Sequence, residues 1–107
     1  MSGKMYGTVA KMRCKPGGHE WVRAWVDVQS KRGMAGWIST TTYQSDADPM
    51  VIWIAVVFES REAYFANAST PLQDQLYHQM LTGLEEPPEW HDGEVVSHIT
   101  AQELARR

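Results

Sequence analysis

The sequence predicts an α+β domain: one four-stranded antiparallel sheet with its helices on a single face. Three observations carry that expectation. Stretches rich in β-branched and aromatic residues occur four times. Amphipathic helical stretches interrupt them to give the order β-α-β-β-α-β. The third strand-like stretch, residues 50–58, is apolar on both of its alternating sets, which marks a central strand covered on both faces.

The elements follow in order. Residues 6–14, Tyr6-Gly-Thr-Val-Ala-Lys-Met-Arg-Cys14, alternate loosely and stop at the Lys15-Pro-Gly-Gly18 breaker, which makes them strand one. From His19, Trp21, Val22, Trp25 and Val28 recur at helical spacing until Gly33 ends the run. Residues 37–43 form strand two, closed by the turn chemistry of Ser45-Asp-Ala-Asp-Pro49, and residues 50–58 form strand three. Ser60 is an N-cap for a helix over 61–68. Thr70-Pro71 restarts the helix as N-cap and first helical residue, with Leu72, Leu76, Met80 and Leu84 on one stripe and an end near Gly83. After Glu85-Glu-Pro-Pro-Glu89, Trp90-His-Asp-Gly93 reads as a turn and residues 94–99 as strand four. Residues 1–99 are one domain, and residues 100–107 are a helix-prone tail.

That order is the split βαβ, or ferredoxin-like, arrangement, which leaves one sheet face without helices. Trp53, Ala55 and Val57 point to that face, while Ile52, Ile54, Val56 and Phe58 point to the helices. At about 25 cal/mol per Å² of apolar surface, wetting the Trp53 side forgoes several kcal/mol, comparable to the whole stability of a small domain. A second copy stacked sheet on sheet is the simplest cover, so a homodimer is expected.

Composition excludes several classes. Ten Lys and Arg against thirteen Asp and Glu give a net charge of -3, without the basic excess that a nucleic-acid backbone requires. The longest apolar run is under half the roughly 20 residues of a membrane-spanning helix, and the first residues lead into no signal-peptide core. The single cysteine, Cys14, supports neither an internal disulfide nor a Cys-rich zinc site. A soluble, cytoplasmic protein is expected. Asp74 and His78, one helical turn apart, lack a third ligand and read as a solvated pair, so no metal is expected. No nucleophile or phosphate-binding motif is present. Five tryptophans and four tyrosines suit a pocket for a flat aromatic ligand, although core and dimer packing account for most of them.

The segment Phe58-Glu-Ser-Arg-Glu-Ala-Tyr64, after a hydrophobic strand and before Asn67-Ala-Ser-Thr-Pro71, resembles the antibiotic biosynthesis monooxygenase-like (ABM) family of dimeric α/β barrels. Element order extends the likeness over residues 5–99. Some members oxidise phenolic polyketides to quinones without a cofactor, others degrade haem, and many have no known activity. In the quinone-forming members an Asn and then a Trp, four apart, precede a helical Tyr. Tyr64 matches that Tyr, while Ile54 and Phe58 occupy the Asn and Trp positions. The Asn, Trp and His of the haem-degrading members fall on Ala10, Asn67 and Tyr77, and a one-residue shift brings His78 to the last of these, so haem degradation is the less favoured reaction.

The resemblance therefore implies a homodimer that oxygenates a small aromatic or polyketide-like substrate, without cofactor or metal, in a pocket between sheet and helices. Tyr64 is the candidate catalytic residue. Tyr6, Asn67, Tyr77 and His91 are candidate polar groups of the pocket, and Ile54 and Phe58 are its walls. The alternative is a non-catalytic dimeric ligand-binding or stress-related protein, which the apolar Ile54 and Phe58 favour.

Overall fold

The computed structural model describes residues 4–102. Its elements are β1 (Tyr6–Arg13), α1 (His19–Lys31), β2 (Trp37–Gln44), β3 (Val51–Phe58), α2 (Arg61–Ala68), α3 (Pro71–Leu81) and β4 (Glu89–Glu94). The strands form one sheet in the order β2-β3-β1-β4 with every neighbour antiparallel. This is the ferredoxin-like α+β fold, with β1 and β3 at the centre.

Local chemistry sets the helix starts. The Ser60 hydroxyl accepts from the Ala63 N–H, and the Thr70 hydroxyl accepts from the Gln73 N–H, with Pro71 following at a position where its missing N–H costs nothing. The β2–β3 connection is held by Asp48, whose carboxylate accepts from the Met50 N–H at 3.0 Å and from Arg13 Nη1 at 3.1 Å. Gly83 lets the chain leaving α3 pass the Trp21 ring, since a Cβ there would lie 2.8 Å from it.

The core lies between the sheet and the helices. Ala10, Met12 and Cys14 of β1 and its extension, and Ile52 and Ile54 of β3, pack against Val22 and Val26 of α1 and against Met80 and Leu84. The buried face of α1 thus runs through Val22 and Val26. Trp21 and Val28 of the predicted stripe are 43% and 59% exposed, because a helix of two-residue contact depth on a sheet buries a narrow strip. On α3 the stripe divides: Met80 is buried, and Leu72 is exposed.

The fourth strand differs from expectation. It spans Glu89–Glu94, so Trp90-His-Asp-Gly93 is strand and not turn, and residues 95–99 lie beyond it. Antiparallel pairing with β1, from Lys11↔Glu89 to Tyr6↔Glu94, extends the backbone where apolar content gives no hint of a strand. One further bond, from the Val95 N–H to the Met5 carbonyl at 2.9 Å, closes the ladder. Val96 and Ile99 are 92% and 70% exposed. In the tail, Ala101 and Gln102 are helical, and residues 103–107 lie outside the described residues.

The helix-free face carries Val9, Lys11, Trp53, Ala55 and Val57, with Tyr43 and His91 on the flanking strands by register. Val9 and Tyr43 are well exposed, Trp53 is half-buried, and the Lys11 ammonium sits 5.7 Å from the Trp53 ring centroid.

Candidate functional site

A cavity of about 990 Å³ lies between the sheet and the three helices. Ile54, Val56 and Phe58 of β3 make its floor together with Thr8 of β1 and Asp92 of β4. Trp25, Tyr64, Tyr77 and Met80 enclose it from the helices, with Trp90 beside Tyr77. The Tyr77 and Trp90 rings stand 6.5 Å apart, and the Trp25 indole N–H donates to Gln79 at 2.9 Å, which fixes that wall. The volume and the aromatic lining can accommodate a small organic ligand.

Alternation along β4 places Asp92 on the helix side, opposite Thr8 in the β1–β4 register. From α2, which leaves β3 through the Ser60 cap, Tyr64 reaches across the cavity, and its hydroxyl donates to Asp92 Oδ1 at 2.9 Å. The Tyr64 ring is held by edge contacts with Phe58 at 5.6 Å and Phe65 at 5.0 Å. Burial pushes the Tyr64 phenol well above its ordinary ionisation range. The Asp92 carboxylate adds to that shift, and the adjoining Thr8 hydroxyl works against it. Thr8 Oγ1 is nonetheless outside hydrogen-bonding geometry with any group among the described residues. Tyr64 is therefore a neutral phenol near pH 7 whose proton already points at a carboxylate.

Of the residues singled out from sequence, Tyr64, Ile54, Phe58, Asn67 and Tyr77 line the cavity. Tyr6 stands behind Tyr64, with ring centroids 5.4 Å apart, and its other side meets the Arg61 guanidinium at 5.3 Å, so it supports the site from outside the lining. His91 lies on the helix-free face, where Nε2 is 2.9 Å from Glu89 Oε1. The same alternation that turns Asp92 inward turns His91 outward. Asp74 and His78 are exposed, and His78 Nδ1 contacts the Asp74 backbone carbonyl at 2.8 Å. Among the described residues no group of three His, Cys, Asp or Glu side chains is placed to hold a metal ion.

Asp92, Thr8, Trp25 and Trp90 are the site residues that sequence reasoning missed. For Asp92 and Trp90 a signal existed: taken as a strand, residues 89–94 put both on one side.

No family model matches the chain, and no curated protein does. Solved structures do. A Chloroflexus aurantiacus J-10-fl protein named as an antibiotic biosynthesis monooxygenase is 29% identical and superimposes with a TM-score of 0.76, over 90% of this chain and 97% of that one. The chain is antibiotic biosynthesis monooxygenase-like. A Nitrosomonas europaea protein of the same name aligns at 19% identity with a TM-score of 0.74, over 90% and 94% of the two chains. The ActVA-Orf6 monooxygenase of Streptomyces coelicolor, solved in complex with nanaomycin D, aligns at 21% identity with a TM-score of 0.76, over 91% and 92%. At these lower identities the likeness speaks for the ABM fold. No helix among the described residues is long and apolar enough to cross a membrane.

Proposed function

We propose that this ABM-like protein is a monooxygenase that oxygenates a small aromatic or polyketide-like substrate in the cavity between sheet and helices, without a cofactor. The observation that carries the reading is the Tyr64–Asp92 hydrogen bond, which lies along the exposed β4 edge of an aromatic-walled cavity. The nanaomycin D complex of the Streptomyces coelicolor monooxygenase, a shared fold, supports the choice of ligand class.

The chemistry follows from which atom holds which proton. The substrate is a ring ketone with an acidic CH₂, or its enol. Tyr64 donates its own proton to Asp92, so its oxygen lone pairs face the substrate and accept the substrate's proton as the phenol proton moves on to the carboxylate. Tyr64 acts as a relay and Asp92 as the proton sink, because a phenol held above its usual range is no base by itself. The electron-rich enolate then reduces dioxygen and a C–O bond forms. Loss of water converts the CH₂ to C=O, with one oxygen atom kept and the other released as water. Ile54, Val56 and Phe58 exclude bulk water and hold the ring plane.

The same reading makes the active species a homodimer, with the helix-free sheet faces of two copies stacked through Trp53, Ala55 and Val57. A second reading, ligand binding without turnover, is favoured by Ile54 and Phe58: both are at least 94% buried and offer the substrate no polar group. Aerobic incubation with anthrone separates the two. The monooxygenase reading expects anthraquinone above the buffer rate and its loss in Tyr64→Phe. No quinone above buffer, with Tyr64→Phe indistinguishable from wild type, overturns it.

A further inference from the structure

Two tyrosines line the cavity, and only one phenol is engaged. The Tyr64 hydroxyl donates to Asp92, whereas the Tyr77 hydroxyl makes no hydrogen bond among the described residues. It is also reachable. Among the described residues the unpaired side-chain polar atoms sealed from solvent are Thr8 Oγ1 and His19 Nδ1, and Tyr77 Oη is not one of them. The Tyr77 ring is half-buried and packs against the core cluster, with the Trp90 ring 6.5 Å away. Packing therefore sets the direction of the ring and leaves its polar tip free, which makes a fixed donor in an apolar wall.

The two phenols stand at successive inward residues of β4. Trp90 and Asp92 are two residues apart, about 7 Å along the strand. Tyr64 is bonded to Asp92, and Tyr77 stands beside Trp90. A ring ketone whose CH₂ lies across the ring from its C=O, as in anthrone, presents its two polar positions on opposite edges. A proton acceptor at one edge and a donor at the other can then engage it together. Removing the CH₂ proton moves charge onto the ketone oxygen, so a donor already placed there stabilises the enolate more than the ketone.

We propose that the Tyr77 hydroxyl donates to the ketone oxygen of the bound ligand and, once Tyr64 and Asp92 have taken the proton, to the enolate oxygen formed there. This rests on the cavity being the ligand site, and the contact with the ketone does not depend on turnover. It selects ring ketones over hydrocarbons of the same shape, and it sets the ketone edge towards Trp90 and the CH₂ towards Asp92.

The test compares 1-tetralone with tetralin, which share a two-ring skeleton and differ in the carbonyl, on the wild type and on Tyr77→Phe. The variant keeps the ring against the core, and the hydroxyl it removes bonds to nothing among the described residues, so its fold is retained. Affinities are read by quenching of tryptophan fluorescence. Tyr77→Phe is expected to weaken 1-tetralone roughly tenfold, the effect of one hydrogen bond, and to leave tetralin unchanged. In infrared difference spectra of 1-tetralone labelled isotopically at the carbonyl, the stretch of the ligand bound to wild type should lie below its position in an apolar solvent. It should return towards that position in Tyr77→Phe, a change that altered packing alone does not produce. Equal weakening of both ligands, no change for either, a carbonyl stretch indifferent to Tyr77→Phe, or no binding of 1-tetralone by the wild type overturns the proposal. Its failure is separable from that of the oxygenation reading. Quinone formation from anthrone with an unselective Tyr77→Phe sinks this proposal alone, and selective loss of 1-tetralone without any quinone formation sinks only the other.

Discussion

The Tyr64 hydroxyl donates to Asp92 Oδ1 at 2.9 Å, joining the first helix after β3 to the edge strand β4 across the cavity. Asp92→Asn keeps an oxygen that can accept from Tyr64, so the geometry survives, but the amide cannot take up a proton. If the relay operates, anthrone conversion should fall by about 10² to 10⁴, the usual range for a general base. Ligand affinity, measured by fluorescence, should stay within a factor of a few. An Asp92→Asn protein with wild-type turnover would remove Asp92 from the reaction.

Ionisation of Tyr64 can be followed directly. The difference in phenolate absorbance between wild type and Tyr64→Phe should develop above pH 10, the ordinary phenol value, because burial disfavours the anion. Asp92→Asn should bring that transition down only part of the way, since the carboxylate is a smaller cause than burial. The sign for stability follows. Below about pH 10 Tyr64 is protonated in both folded and unfolded chains and adds no slope. Above it the unfolded chain loses the proton first, so stability falls as pH rises, and Tyr64→Phe should lose that part of the alkaline slope. Coincident titration of Tyr64 with free tyrosine would contradict the burial of its phenol.

At the other end of the sheet, Asp48 is held below the usual carboxylate range, first by the Met50 N–H and then by Arg13. Its lowered folded-state pKa means that its contribution is present above the unfolded-state value and is lost as pH falls through the folded one. Asp48→Asn should therefore flatten the acid limb of stability against pH below about pH 4, measured by urea midpoints. An acid limb identical to that of the wild type would mean that the β2–β3 connection does not need the charge.

Gly36 and Gly33 form a matched pair. Both have positive φ, +79° and +76°, yet a Cβ at Gly36 would lie 2.7 Å from the Ala63 Cβ, whereas one at Gly33 meets nothing within 4 Å. Gly33→Ala should cost about 1 kcal/mol for backbone strain. Gly36→Ala should cost more, about 2 to 3 kcal/mol, because α2 must also shift. Since α2 carries Tyr64, the Gly36 variant should lose anthrone turnover as well. Equal costs in thermal melts would mean that α2 yields freely.

The sheet and helices were legible because their signals are local. Ser60 and Thr70-Pro71 mark helix starts by their own chemistry, and residues 51–58 announce a central strand by composition. β4 lies upstream of the expected residues 94–99 because its stability comes from backbone pairing with β1, and pairing leaves no mark on side-chain polarity. The apolar pair Val95-Val96 therefore outweighed Trp90-His-Asp-Gly93. That one shift hid Asp92 and drew attention to His91, its neighbour on the opposite face. Tyr64 was reachable from the segment following β3. Its partner depended on a register that only the folded sheet defines.

Trp53 is the sharpest probe of the proposed homodimer. It sits in the middle of β3 on the helix-free face, half-buried within its own chain, with Lys11 over its ring and the exposed Val9 and Tyr43 on neighbouring strands. One chain alone leaves this apolar strip facing water, and stacking on a second copy removes it. Complete burial makes truncation of a large aromatic worth about 3 to 5 kcal/mol. Part of that is lost within one chain, where the ring is already half-buried, and the remainder should come from association. Trp53→Ala is thus expected to shift a wild-type dimer towards monomer in light scattering and to lower its melting temperature in a concentration-dependent way. Trp21→Ala, on α1 away from the helix-free sheet face and 43% exposed, is the control that should keep the dimer mass. A monomeric wild type, or a Trp53→Ala protein that stays dimeric with unchanged melting, would mean that two sheets do not meet at this face.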